Sequence, residues 1–68
     1  GQGATTVLNA SNEVAVAAFL QRKISFNQIG QVNEKSLNEL SHYQPQTIID
    51  ILELDKLARE YTSANLPV

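Results

Sequence analysis

At 68 residues with no cysteine and a single histidine, the chain is one domain or a piece of one, with no disulfide framework and no thiolate metal site. Its formal charge is −2 and its pI near 5.1, and the five basic residues, Arg22, Lys23, Lys35, Lys56 and Arg59, are scattered, which argues against nucleic acid as a partner. No apolar run approaches the roughly 20 residues that span a bilayer, so no membrane partner is expected either.

A chain this short buries only about 60% of its unfolded surface, and its core alone supplies roughly 3–5 kcal/mol. The opening Gly1-Gln2-Gly3 has neither the basic side chain nor the short apolar core of a signal peptide, and without an initiator Met it reads as the start of an excised fragment. Gly1-Gln2-Gly3-Ala4-Thr5-Thr6 begins like a dinucleotide-binding turn, but Thr6 stands where the third glycine belongs and no strand precedes it. A terminal linker is the expectation there.

The first helix is expected from about Ala10 to Arg22 and is the central element. Asn9 suits its N-cap, where a short polar side chain accepts from the free amide of Ser11 or Asn12, with Glu13 near the positive end and Arg22 and Lys23 at the negative end. Small residues within Val14 to Leu20 let neighbouring backbones approach closely. Asn9-Ala10-Ser11 fits the N-glycosylation acceptor pattern, but its place at a helix start in a chain with no secretion signal makes it a chance match.

Ile24-Ser25-Phe26-Asn27-Gln28-Ile29 restarts the chain. Ser25 is the N-cap, Gln28 completes a capping box, and Ile24 and Ile29 flank it as a hydrophobic staple. The second helix continues to about Ser41, presenting Phe26, Ile29, Val32, Leu37 and Leu40 on one face and Asn27, Gln31, Glu34, Lys35 and Asn38 to water. Gly30 inside it costs about 1 kcal/mol relative to Ala; either close packing on the first helix requires it, or nothing does.

Ser41 to Gln46 is the one loop, because Pro45 cannot continue a helix and pushes Gln44 toward extended geometry. Thr47 and Asp50 form a weaker capping arrangement, the acidic side chain being shorter than Glu. The third helix is expected from about Ile48 to Thr62. Its apolar positions Ile48, Ile51, Leu52, Leu54, Leu57, Ala58 and Tyr61 cover more than half its circumference, which implies more than one packing partner, and Asp55 pairs with Arg59 at i,i+4. Ser63 to Val68 is expected to fray.

No constellation for chemistry emerges. Glu39-Leu40-Ser41-His42 matches the Glu-x-x-His of carboxylate-bridged metal bundles, but one His cannot supply the two pairs that such a site needs. No Ser/His/Asp triad or facing carboxylate pair is evident. A carrier protein would need an Asp-Ser dipeptide, which is missing. A helix-turn-helix is opposed by Asp50, Glu53, Asp55 and Glu60 on the third helix.

The segment Gly3-Ala4-Thr5-Thr6-Val7-Leu8-Asn9-Ala10-Ser11-Asn12-Glu13-Val14-Ala15-Val16-Ala17-Ala18-Phe19-Leu20 closely resembles the Leu-Asn-Ala-Ala-Asn-Glu-(Ile/Val)-x-Val-x-Ala-Phe-Leu block of the 1-deoxy-D-xylulose 5-phosphate reductoisomerase family, with Ser11 for the usual Ala. Ile24 to Ile29 looks like that family's Ile-x-Phe-x-x-Ile segment, and Ile48 to Arg59 looks like its closing helix. The resemblance implies an enzyme of the non-mevalonate isoprenoid pathway that rearranges 1-deoxy-D-xylulose 5-phosphate and reduces the product with NADPH to 2-C-methyl-D-erythritol 4-phosphate, assisted by Mg²⁺ or Mn²⁺. It also implies a dinucleotide-binding domain, a catalytic and dimerising domain, and a C-terminal helical bundle with a further helix before Gly1. The family's metal-binding carboxylates and phosphate-binding residues lie upstream, so no catalytic, cofactor-binding or metal residue transfers to this chain, Glu13 included.

The resulting expectation is an all-α fold: three helices over residues 1–68, the remnant of a C-terminal four-helix bundle, with a core of Val14, Phe19, Leu20, Ile29, Leu37, Leu40, Leu52 and Leu57. Its role is structural, its partner the catalytic domain of a parent chain in the bacterial cytoplasm or plastid stroma. Alone it is expected to be inactive, to bind neither NADPH nor metal, and to self-associate through an exposed apolar groove. The alternative is a free-standing helical interaction module. Whether Asn9, Asn12 or Glu13 reaches the catalytic domain stays open.

Overall fold

In the computed structural model, which describes residues 1–68, the chain forms α1 (Gln2–Leu20), α2 (Phe26–Leu40) and α3 (Ile48–Ala64), with no strand. They make a rod of 36 × 17 × 15 Å. α1 and α2 are antiparallel: Ala15 and Ala18 meet Ile24 and Val32 at one end, and Val7 and Ala10 meet Leu40 at the other. α3 runs alongside α1 in the same direction, with Gly3 beside Tyr43 and Pro45 at its start and Glu13 beside Arg59 further up. α1 packs on both neighbours, whereas α2 and α3 touch each other far less.

α1 begins eight residues earlier than expected. Gly1 is its N-cap, and the Thr5 amide and hydroxyl both donate to the Gly1 carbonyl, at 3.2 and 3.1 Å. Asn9 therefore lies in mid-helix on the exposed side and caps nothing. Burial of Val7 and Gly3 overrides the weak local propensity of the Thr5-Thr6-Val7 run, so the expected linker is helix. At the other end the helix stops at Leu20, short of the basic pair. The Arg22 amide donates to the Phe19 carbonyl and the Lys23 amide to that of Ala18, both at 2.9 Å, while Arg22 takes φ 61°. That is a Schellman stop, with an arginine where glycine usually sits.

The two remaining starts form as expected. Gln28 Oε1 accepts the Ser25 amide at 2.8 Å, and Ile24 and Ile29 pack in one cluster as the staple requires. At α3, Thr47 Oγ1 accepts the Asp50 amide at 3.0 Å, and Asp50 Oδ2 accepts the amides of both Thr47 (3.2 Å) and Gln46 (2.9 Å). The shorter acid thus satisfies two orphan donors, more than the expected weak box. The tail is not simply frayed, because α3 runs on to Ala64 and Leu66 packs against the cluster of Ala15, Ala18, Ile24 and Val32.

The core differs from the expected one. Val7, Ala10, Leu40, Leu54 and Ala58 form one buried cluster, and Ala15, Ala18, Ile24 and Val32 the other. Of the eight expected residues only Leu40 is buried; Val14, Phe19, Ile29 and Leu37 are half-buried, and Leu20, Leu52 and Leu57 are exposed. The physical reason is interhelical distance. α1 turns Ala10, Ser11, Ala15 and Ala18 inward, the helices close on those short side chains, and the bulkier ones are left at the margins. Gly30 has open space around it, which removes close packing as its explanation.

Candidate functional site

Most of the molecule's polar side chains are committed to holding the three helices together. Ser11 donates its hydroxyl to Asn33 Oδ1 at 2.9 Å, and Asn33 Nδ2 donates to Asn12 Oδ1 at 3.0 Å, a relay that ties α1 to α2. The buried Ser36 and Thr62 hydroxyls lie 2.9 Å apart. Because the Thr62 hydroxyl also donates to the Ala58 carbonyl at 2.7 Å, Ser36 is the donor of the pair. Every buried side-chain oxygen and nitrogen has a partner, so no polar group is left aimed at a ligand.

Arg59 closes α1 on α3. Its Nε donates to Asp55 Oδ2 at 2.7 Å and its Nη1 to Glu13 Oε1 at 3.1 Å. Hydrogen bonds to Asp55 and then to Glu13 hold the guanidinium above its ordinary pKa, so the charge is permanent. Partial desolvation, followed by the nearby charge of Glu39, pushes the Tyr61 phenol up as well. Asn12 and Glu13 are thus engaged within the bundle, while Asn9 stays free on the surface.

Nothing here assembles a reactive centre. His42 sits in the loop against Tyr43, ring centroids 4.5 Å apart, and no three His, Asp or Glu side chains converge on a point that a cation could fill. Asp50 is spent on the α3 cap, and Asp55 and Glu13 on Arg59. The groove between the loop and α3, lined by Tyr43, Pro45, Asp50, Glu53 and Leu57, is shallow and open. Gly1 to Thr6, the segment with the faint dinucleotide-turn pattern, is helix with no strand before it.

What the surface does carry is apolar. Ile48, Ile49 and Leu52 on the first turns of α3 are 76%, 67% and 64% exposed, and Leu20 and Phe26 flank the α1–α2 turn. The wide stripe read from the sequence foreshadowed the first group, since α3 has more apolar side chains than its two neighbours can cover. Sequence reasoning missed the buried hydroxyls of Ser11, Ser36 and Thr62. Their only signal was position, each falling in phase with the apolar stripe of its helix.

Residues 1–61 match the family model described as the DXP reductoisomerase C-terminal domain. Among curated proteins, the chain is 52% identical over 62 residues to the 1-deoxy-D-xylulose 5-phosphate reductoisomerase of Proteus mirabilis (strain HI4320), covering 91% of this chain and 16% of that protein. It is 53% identical over 60 residues to the enzyme of the same name from Haemophilus influenzae (strain 86-028NP), covering 88% of this chain and 15% of the relative. The relative from Baumannia cicadellinicola subsp. Homalodisca coagulata is 54% identical over 59 residues, again 15% of its length. The chain thus spans about one sixth of the curated relatives it matches. No solved structure matches it.

Proposed function

The chain belongs to the family of DXP reductoisomerase C-terminal domains, and from that membership we propose that it is the helical block of an NADPH-dependent enzyme that converts 1-deoxy-D-xylulose 5-phosphate to 2-C-methyl-D-erythritol 4-phosphate. The observation that carries this reading is a match over nine tenths of this chain that takes in only 16% of the relative. The block supports the catalytic domain of its parent chain and carries none of the reaction. Its residues do not fit the group or the ion that the reaction uses. No metal-binding triad converges, the carboxylates nearest one another are neutralised by Arg59, and the glycine-bearing start is a helix packed on a loop. NADPH and Mg²⁺ or Mn²⁺ therefore belong to the remainder of the enzyme, which we place in the bacterial cytoplasm or plastid stroma.

Two measurements test the proposal. The 68-residue chain, given NADPH, the sugar phosphate and Mg²⁺, is expected to oxidise no NADPH; turnover by this piece alone would overturn the assignment of a structural role. In the complete enzyme, Asn12→Ala breaks the Ser11–Asn33–Asn12 relay. A lowered melting temperature with unaltered kcat is expected, and a fall in kcat at unchanged stability would place Asn12 in the catalytic machinery instead.

A further inference from the structure

Ile48, Ile49 and Leu52 stand at i, i+1 and i+4 on two adjacent turns, each about two thirds exposed or more. Charged side chains border this ridge without entering it: Glu53, Lys56 and Arg59 lie around its edge, and Asp50 is folded back onto the amides of Gln46 and Thr47. An apolar centre within a polar rim is the anatomy of a contact surface. The ridge is also held rigid by the α3 capping box, so seating a partner on it costs little ordering. The other large exposed side chains lack this continuity. Leu20 and Phe26 are separated by Gln21, Arg22 and Lys23, and Phe26 already meets Phe19 edge to face at 5.7 Å.

Resting on the proposed place of this chain within a longer enzyme, we propose that the Ile48–Ile49–Leu52 ridge is where the remainder of the parent polypeptide seats, through an apolar surface of its own. Size selects that occupant. A separate protein, or a second copy, needs about 800 Å² per partner for a stable interface, far more than three side chains provide. A partner on the same chain is held at a high effective concentration, so a small apolar contact is enough. The relatives are about six times longer than this chain, which supplies such a partner.

The test is cysteine accessibility in the complete enzyme, exploiting the absence of cysteine from these 68 residues. Ile49→Cys and Leu52→Cys are compared with Leu20→Cys on the other apolar end and with Asn27→Cys on the polar face of α2, thiol modification at each site being followed by peptide mass spectrometry under native conditions. We expect the two ridge thiols to react at least tenfold more slowly than Asn27→Cys, independently of protein concentration. Protection at Leu20→Cys with an open ridge would overturn the ridge assignment and leave the parent reading intact. Protection that grows with concentration would mean a second copy and would also overturn it. Equal, fast labelling at all four sites would remove the ridge and the docked-domain reading together.

Discussion

Two glycines with opposite surroundings make the sharpest single-residue test. A Cβ at Gly3 would run into the Tyr43 carbonyl oxygen, with Pro45 Cδ 3.5 Å away, whereas one at Gly30 would meet nothing. Gly30→Ala should raise stability by about 1 kcal/mol, the ordinary helix-propensity difference, and Gly3→Ala should lower it by about 1–3 kcal/mol through overpacking against backbone. Denaturant midpoints measured side by side would separate them. Arg22 offers a third case, because φ 61° strains any side chain. Arg22→Gly relieves that strain but loosens the unfolded chain, for a net gain of about 0.5 kcal/mol, and Arg22→Val should instead destabilise. Tyr61 sets the alkaline behaviour. Its raised pKa means that the folded state holds the phenolic proton more tightly than the unfolded chain does. The resulting stability is full below pH about 10 and is lost as pH rises through the raised value. In Tyr61→Phe that part of the alkaline loss should vanish from a plot of melting temperature against pH.

The elements themselves are joined unequally. α1 has close apolar contact with both neighbours, but α2 and α3 share little beyond the meeting of Leu40 with Leu54 and Ala58 and the hydroxyl pair Ser36–Thr62. Thr62→Val strands the buried Ser36 hydroxyl and should cost about 1–3 kcal/mol, while Ser36→Ala, which leaves Thr62 bonded to the Ala58 carbonyl, should cost about 1 kcal/mol. The double variant restores an apolar match on both sides and should cost less than the two single costs added together. A thermodynamic cycle that closes additively would show the pair to be incidental. Helix starts were readable one by one: Ser25 with Gln28, and Thr47 with Asp50, are local arrangements in which the residues that make the bond lie three apart. The start of α1 was not, because the groups that stabilise it, Tyr43 and Pro45, lie some forty positions away.

For the molecule as a whole, the small size of its buried side chains sets the stability. Four of the nine buried apolar residues are alanines, so the close helix packing gains little apolar area, and much of the bulky aliphatic surface faces outward. The isolated chain should therefore be marginal and should associate weakly as its concentration rises. Sedimentation velocity checks this: a constant monomer across a hundredfold dilution series would contradict it. Replacing Leu52 by Lys should reduce the association while leaving the helical circular dichroism spectrum unchanged.

The sequence by itself determined three helices, the caps of the second and third, the Asp55–Arg59 pair and the family, because each is written in spacings of three or four residues or in a contiguous block. The tertiary structure alone decided where α1 begins, which glycine is indispensable, and which side chains are inside. Those depend on how near the helix axes come, a distance set jointly by Ala10, Ser11, Ala15 and Ala18 and by what faces them from two other helices. A helical stripe in the sequence shows which side chains share a direction; whether that direction ends on a neighbour or in water is fixed only when the neighbours are placed.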